Sequence, residues 1–171
     1  MNTPKSLDIF MKSIVYDKTP LTEWKLKSLD EINETLIANC HDEVVLAYHY
    51  LKLMNSYKNK NESDVTELNK WFIHLNNFAV PYWELGENHS FITFKYKDKY
   101  YKFDSTSESI SRIHGPYKTL DNLMKHYKSV FESHKQPGNI EIYNYTNVRN
   151  LIGCDYETFR SKIIRNGKIY K

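Results

Sequence analysis

The sequence predicts an α+β domain in which one buried central helix packs on an antiparallel sheet. Three stretches carry that prediction. Residues 40–57, CHDEVVLAYHYLKLMNSY, place Val44, Ala47, Tyr48 and Leu51 at helical spacing. Val45, Leu46, Tyr50, Leu53 and Met54 widen the apolar surface until most sides are covered, the mark of a buried helix. Residues 87–104, ENHSFITFKYKDKYYKFD, read as two strands around a short turn, and residues 139–145, NIEIYNY, alternate with period two.

The remaining elements follow in order. Leu7, Ile9, Phe10 and Ile14 give residues 5–17 a helical apolar face, which the Asp17–Pro20 stretch interrupts. Ser28 with Glu31 three residues on is a capping-box pattern, so a short helix is expected up to about Ala38. Asp42 and Glu43 fall in the first turn of the central helix, where its dipole favours negative charge, and Cys40 sits at its N-terminus. Residues 58–64 read as a polar loop. VTELNKWFIHLNN, 65–77, fits helix or strand, and the reading adopted is a partly helical segment. Thr119 is the N-cap of an amphipathic helix bearing Leu120, Leu123, Met124, Tyr127 and Phe131 on one face. The tail, DYETFRSKIIRNGKIY, reads as a short helix followed by a terminal strand.

With 171 residues, 40% hydrophobic and 26% charged, the chain suits one domain with a real core, 1–171, rather than a disordered polypeptide. No apolar run approaches the roughly 20 residues of a membrane helix, and the N-terminus lacks the features of a secretory signal, so a cytoplasmic protein is expected. Cys40 and Cys154 make neither a disulfide framework nor a CxxC zinc motif. A net charge of +3 spread over scattered lysines makes nucleic acid an unfavoured partner, although fourteen tyrosines beside lysines keep that class open. Five glycines form no phosphate-binding loop.

The hairpin poses a question of parity. If Lys97–Asp98 is a two-residue turn, Tyr96 faces Lys99 and Asp104 faces Phe91. His89 is then a diagonal neighbour of Asp104 on the same face, about 7–8 Å away at the backbone and within side-chain reach. A one-residue slip sends the two side chains to opposite faces. The same register pairs Ile92 with Phe103 and Phe94 with Tyr101, one coherent apolar face. A His–Asp pair so placed lacks only a nucleophile. Cys40 supplies one, because a helix N-terminus and a nearby imidazolium both lower a thiol pKa. The candidate catalytic residues are therefore Cys40, His89 and Asp104, with the Cys40 N–H placed to meet a developing oxyanion. Asp42 and Glu43 oppose the thiolate electrostatically.

NCHDEVVLAYHYLK followed by HSFITFKYKDKYYKFD resembles the transglutaminase-like branch of the papain-like cysteine enzymes over residues 28–125. In that family a cysteine opens a helix, a histidine opens a strand and an aspartate closes the next strand; Cys-x-Asp at Cys40–Asp42 also matches. RIHGPYKTLDNLM is similar to a segment that follows the aspartate in small bacterial and phage members. Asn39 stands where glycine is common before the cysteine, and Ser105 where proline is common after the aspartate. The resemblance implies a papain-like fold with a core at about 28–125 and a C-terminal extension at about 126–171. It also implies a thioester intermediate, protein or peptide amide substrates, and hydrolysis or acyl transfer without a cofactor or metal. It calls for a side-chain oxyanion donor, for which Asn39, Trp24 and Asn33 are the nominees.

The other polar residues have plainer readings. Cys154 has no downstream histidine and reads as structural or exposed. His41 and His49 are about 12 Å apart along one helix, too far to share a metal. His74, His126 and His134 read as surface residues in polar or helical settings, and His114 as a turn residue. Two other function classes stay open: an inactive fold used as a protein-binding or inhibitory module, and a small nucleic-acid-binding protein.

Overall fold

A computed structural model of the chain describes residues 3–56, 65–76, 88–105, 111–133, 139–146 and 148–171. The polar stretch 58–64 and His134 lie outside them. In chain order the elements are α1 (Pro4–Met11), β1 (Val15–Tyr16), α2 (Leu29–Thr35), β2 (Ile37–Ala38), α3 (Cys40–Ser56), β3 (Thr66–Asn76), β4 (His89–Tyr96), β5 (Lys99–Phe103), β6 (Ile113–Tyr117), α4 (Leu120–Ser133), β7 (Asn139–Asn144), α5 (Tyr156–Asn166) and β8 (Lys168–Ile169). Six strands form one antiparallel sheet in the order β6-β5-β4-β3-β7-β8, and β1 pairs with β2 in a separate two-stranded parallel sheet.

Helix starts follow their caps. Thr3 and Ser28 each accept a bond from the N3 backbone N–H, and Ser6 and Glu31 reciprocate, so α1 and α2 both begin with capping boxes. The second helix ends earlier than Ala38 because Leu36 turns into the left-handed region, φ 53°, releasing Ile37–Ala38 to pair with β1. Thr119 Oγ1 accepts from Asn122 N at 3.1 Å and starts α4 at the expected place.

Strand parity sorts the core into two layers. Phe72, Ile92, Phe94, Phe103 and Tyr143 face α3 and pack with its Val44, Ala47 and Leu51. Trp71, Ile73, Phe91 and Ile142 face α4 and pack with Leu123, Met124 and Tyr127. Residues 65–76 are therefore strand rather than partly helical. As a central strand β3 is covered on both faces, so its apolar residues run on through Trp71, Phe72 and Ile73 and lose the alternation that would mark it. His74, expected at the surface of a helix, is instead buried on β3 with Nδ1 3.1 Å from Asn88 Oδ1.

His114 lies on β6 and not in a turn. The β5–β6 register shifts by one residue between Tyr100 and Lys102, where Gly115 and Pro116 together stand opposite Tyr101. Gly115 has φ +143°, and a Cβ there would meet Tyr101 Cδ1 at 2.7 Å and Tyr100 O at 2.9 Å. The tail joins the same body: β7 pairs with β3, β8 pairs with β7, and Tyr156, Phe159 and Ile163 of α5 enter the α3-side layer. Among the described residues no helix is long and apolar enough to cross a membrane.

Candidate active site

The start of α3 is held by a reciprocal cap. Asn39 Oδ1 accepts from His41 N at 2.9 Å and Asp42 N at 3.2 Å, and Asp42 Oδ2 accepts from Asn39 N at 3.1 Å. Asp42 also accepts from Lys27 N at 3.0 Å and from the Trp24 indole Nε1 at 3.1 Å, which ties the preceding loop to the helix. None of these bonds uses the Cys40 N–H, so the N1 position presents both its thiol and its amide.

The β4–β5 hairpin has the two-residue turn. Tyr96 faces Lys99, Phe94 faces Tyr101 and Ile92 faces Phe103, with Lys97 (φ 49°) and Asp98 (φ 59°) both left-handed as a type I′ turn requires. That parity puts His89 and Asp104 on the α4 face, where His89 Nε2 donates to Asp104 Oδ1 at 2.8 Å. Asp104 Oδ2 accepts from the Tyr127 hydroxyl on α4 and from Lys102 Nζ at 3.3 Å. The Lys102 ammonium lies 3.6 Å from the Tyr127 ring centre. With Nε2 on the carboxylate, Nδ1 is the His89 nitrogen left to meet the Cys40 sulfur. All three sequence-selected residues are buried and come together at the end of the sheet where β4 begins and β5 stops.

Their charges support one another. Burial opposes ionisation of Cys40, but the His41 and His89 imidazoles, through charge and hydrogen bonding, hold its thiol well below the ordinary range. Burial would lower His89, yet the Asp104 carboxylate and the Cys40 sulfur push it up to about 10. Asp104 is held well below the carboxylate range: His89, Lys102 and the Tyr127 hydroxyl outweigh its burial. The shifts all favour a thiolate–imidazolium pair backed by a carboxylate over the neutral pair. The two acids beside Cys40 do less harm than their sequence positions suggest. Burial raises both, and Glu43 reaches about 8 even with Arg112 Nε 3.3 Å away, so it is largely neutral at pH 7.

Several supporting residues escaped the sequence. His41 Nδ1 pairs with Ser90 Oγ at 2.7 Å, and its ring sits among Trp24, Phe72, Tyr156 and Phe159. Consecutive residues of α3, Cys40 and His41, thereby meet consecutive residues of β4, His89 and Ser90. Arg112 fixes the far side: its carbonyl accepts from Asp104 N at 2.8 Å, its own N–H reaches Asp8 Oδ1 at 2.7 Å, and its guanidinium bonds the Met11 carbonyl. Of the nominated oxyanion donors only Trp24 has its donor hydrogen occupied; Asn39 and Asn33 are bonded through their amide oxygens. Trp24 gives its N–H to Asp42, Asn39 caps the helix, and Asn33 is exposed with Tyr50 as its partner at 3.4 Å. Cys154 is half-buried, with Lys162 Nζ 3.4 Å from its sulfur. No group of three His, Cys, Asp or Glu among the described residues could hold a metal ion.

A thiolate at a helix N-terminus can add to a carbonyl carbon, and an adjacent imidazolium can protonate the group that leaves. No protein-family model matches the chain, and no curated protein is similar to it.

Proposed function

We propose that the protein is a cysteine-dependent amide or peptide hydrolase of the transglutaminase-like, papain-like kind, with Cys40 as nucleophile, His89 as general acid and base, and Asp104 as the group that orients His89. The observation that carries this reading is the buried His89–Asp104 pair facing a buried thiol at the first position of α3. The order of elements agrees with it: helix-opening cysteine, strand-opening histidine, strand-closing aspartate.

In the first half-reaction the Cys40 thiolate forms a bond to the carbonyl carbon while the carbonyl π pair moves to oxygen. Collapse of that adduct breaks the C–N bond, and the amine departs with the proton of His89, leaving a thioester. His89, now neutral, takes a proton from water as it attacks the thioester, and the acid leaves while Cys40 returns as thiolate with His89 protonated. The Asp104 carboxylate favours the imidazolium at both steps. An amine in place of water would give acyl transfer by the same route.

Alkylation of Cys40 by iodoacetamide across pH tests the reading. The expected rate levels off well below the ordinary thiol value of about 8.5, because the neighbouring imidazoles hold the thiol down. A rate that climbs tenfold per pH unit up to about 8.5 would sink the proposal. Cys40→Ala tests a binding or inhibitory role: a biological effect that survives this change would assign the fold to that role.

A further inference from the structure

Addition of a thiolate to a carbonyl leaves negative charge on oxygen, and a backbone N–H alone is half of the usual pair of donors. Trp24 gives its N–H to Asp42, Asn39 is turned to the helix backbone by its Oδ1, and Asn33 is exposed beside Tyr50. Three phenols feel the charge of Cys40: Tyr16, Tyr127 and Tyr145. Tyr127 donates to Asp104, and Tyr145 is buried within the α3-side layer, away from solvent. Tyr16 alone of the three stands at the surface.

Its place is set by register. β1 runs parallel to β2 with Tyr16 opposite Ala38, through Val15 N to Leu36 O at 2.8 Å and Asp17 N to Ala38 O at 3.0 Å. Residues paired in this way project from one face of the sheet. Ala38 is 0% exposed while Tyr16 is 60% exposed, as expected when a ring stands over a small partner at a rim. Cys40, the first residue of α3, follows Ala38 by only two residues, so Tyr16 lies across from the chain that leads into the thiol. Among the described residues the Tyr16 hydroxyl has no hydrogen-bond partner. Partial burial, and then the negative charges of Cys40 and Asp17, keep the phenol protonated, as a donor must be.

We propose that the Tyr16 hydroxyl is the side-chain donor that, with the Cys40 N–H, holds the oxyanion formed when Cys40 adds to a substrate carbonyl. The assignment rests on Cys40 being the nucleophile. As the S–C bond forms and the π pair moves to oxygen, Tyr16 donates a hydrogen bond without losing its proton. When the carbonyl re-forms and the leaving group departs, Tyr16 releases the oxygen unchanged.

Two probes separate this role from others, applied to Tyr16→Phe in a Cys154→Ser background so that only Cys40 reacts. Acetylation by p-nitrophenyl acetate passes through a tetrahedral oxyanion, whereas alkylation by iodoacetamide is a direct displacement that forms none. The expected result is acetylation slowed about a hundredfold, the scale of losing one such donor, with alkylation within about twofold of the parent. Acetylation unchanged, or both reactions slowed in parallel, overturns the assignment; parallel loss would make Tyr16 a modulator of the thiolate. If the parent protein reacts with both probes no faster than a free thiol, the nucleophile reading itself fails and Tyr16 falls with it.

Discussion

Asp104 is the residue on which the site depends most heavily, since one buried carboxylate accepts from His89, Tyr127 and Lys102. The resulting shifts fix the sign of the pH dependence. His89 titrates near 10 in the folded chain against an ordinary 6.5, so the stability from its pairing is full below 6.5 and is lost as pH rises toward 10. Glu43 adds to this with the same sign, because ionising it becomes unfavourable between its ordinary 4.5 and about 8. Cys40 has the opposite sign: its thiol is held low in the folded chain, so the unfolded chain carries a proton there that the folded one lacks, which offsets His89 up to the ordinary thiol range. The net fall in Tm should therefore come from Glu43, between pH 4.5 and about 8, and Glu43→Gln should flatten that limb in thermal denaturation; an unchanged slope would place its origin elsewhere. His89 and Asp104 were legible because period-two parity is a local property of a hairpin. Tyr127, Arg112, Ser90 and Asp8 were not, since their contacts join elements far apart in the chain and no spacing rule encodes such meetings.

Secondary elements show the same division between local and tertiary information. Caps at Ser28 and Thr119 were legible from residue type alone, whereas the Thr3 cap emerged only with the structure. The β3 strand was not, because burial on both faces erases the periodicity on which the reading depends, and the Gly115–Pro116 bulge mimicked a turn. The hairpin turn is a useful exception, correct in length without the favoured residues. Lys97 and Asp98 hold φ values of 49° and 59°, which cost an L-residue about 1 kcal/mol each and cost asparagine or glycine less. The double change Lys97→Asn, Asp98→Gly should raise the urea-derived stability by about 1 kcal/mol and leave Cys40 alkylation unaltered. A loss of stability would mean that the turn relies on side-chain contacts, such as Lys95 with Asp98 at 3.9 Å.

For the whole molecule, the segments expected to flank the core take part in it. Leu7 and Met11 from α1, and Tyr156, Phe159 and Ile163 from α5, are buried in the same layer as α3. Phe159 lies 5.0 Å from the His41 ring and 5.6 Å from Trp24, so the tail supports the base of the site. Phe159→Ala should destabilise the protein by about 3–5 kcal/mol in urea unfolding. It should also slow Cys40 alkylation at pH 6 as His41 loosens. A cost under about 1 kcal/mol would show that α5 is an appendage.

The two layers of the core do not contribute equally to the candidate chemistry. The sulfur belongs to the helix on one side of the sheet, while the carboxylate and its phenol brace belong to the other side. The imidazole spans the end of the sheet between them. The sulfur-to-nitrogen separation is therefore a vernier on the stacking of the layers: a shift of α3 too small to expose a core residue still changes a hydrogen bond. Thiol reactivity in this protein reads the tightness of its core, and it will register loosening before any measure of secondary structure does.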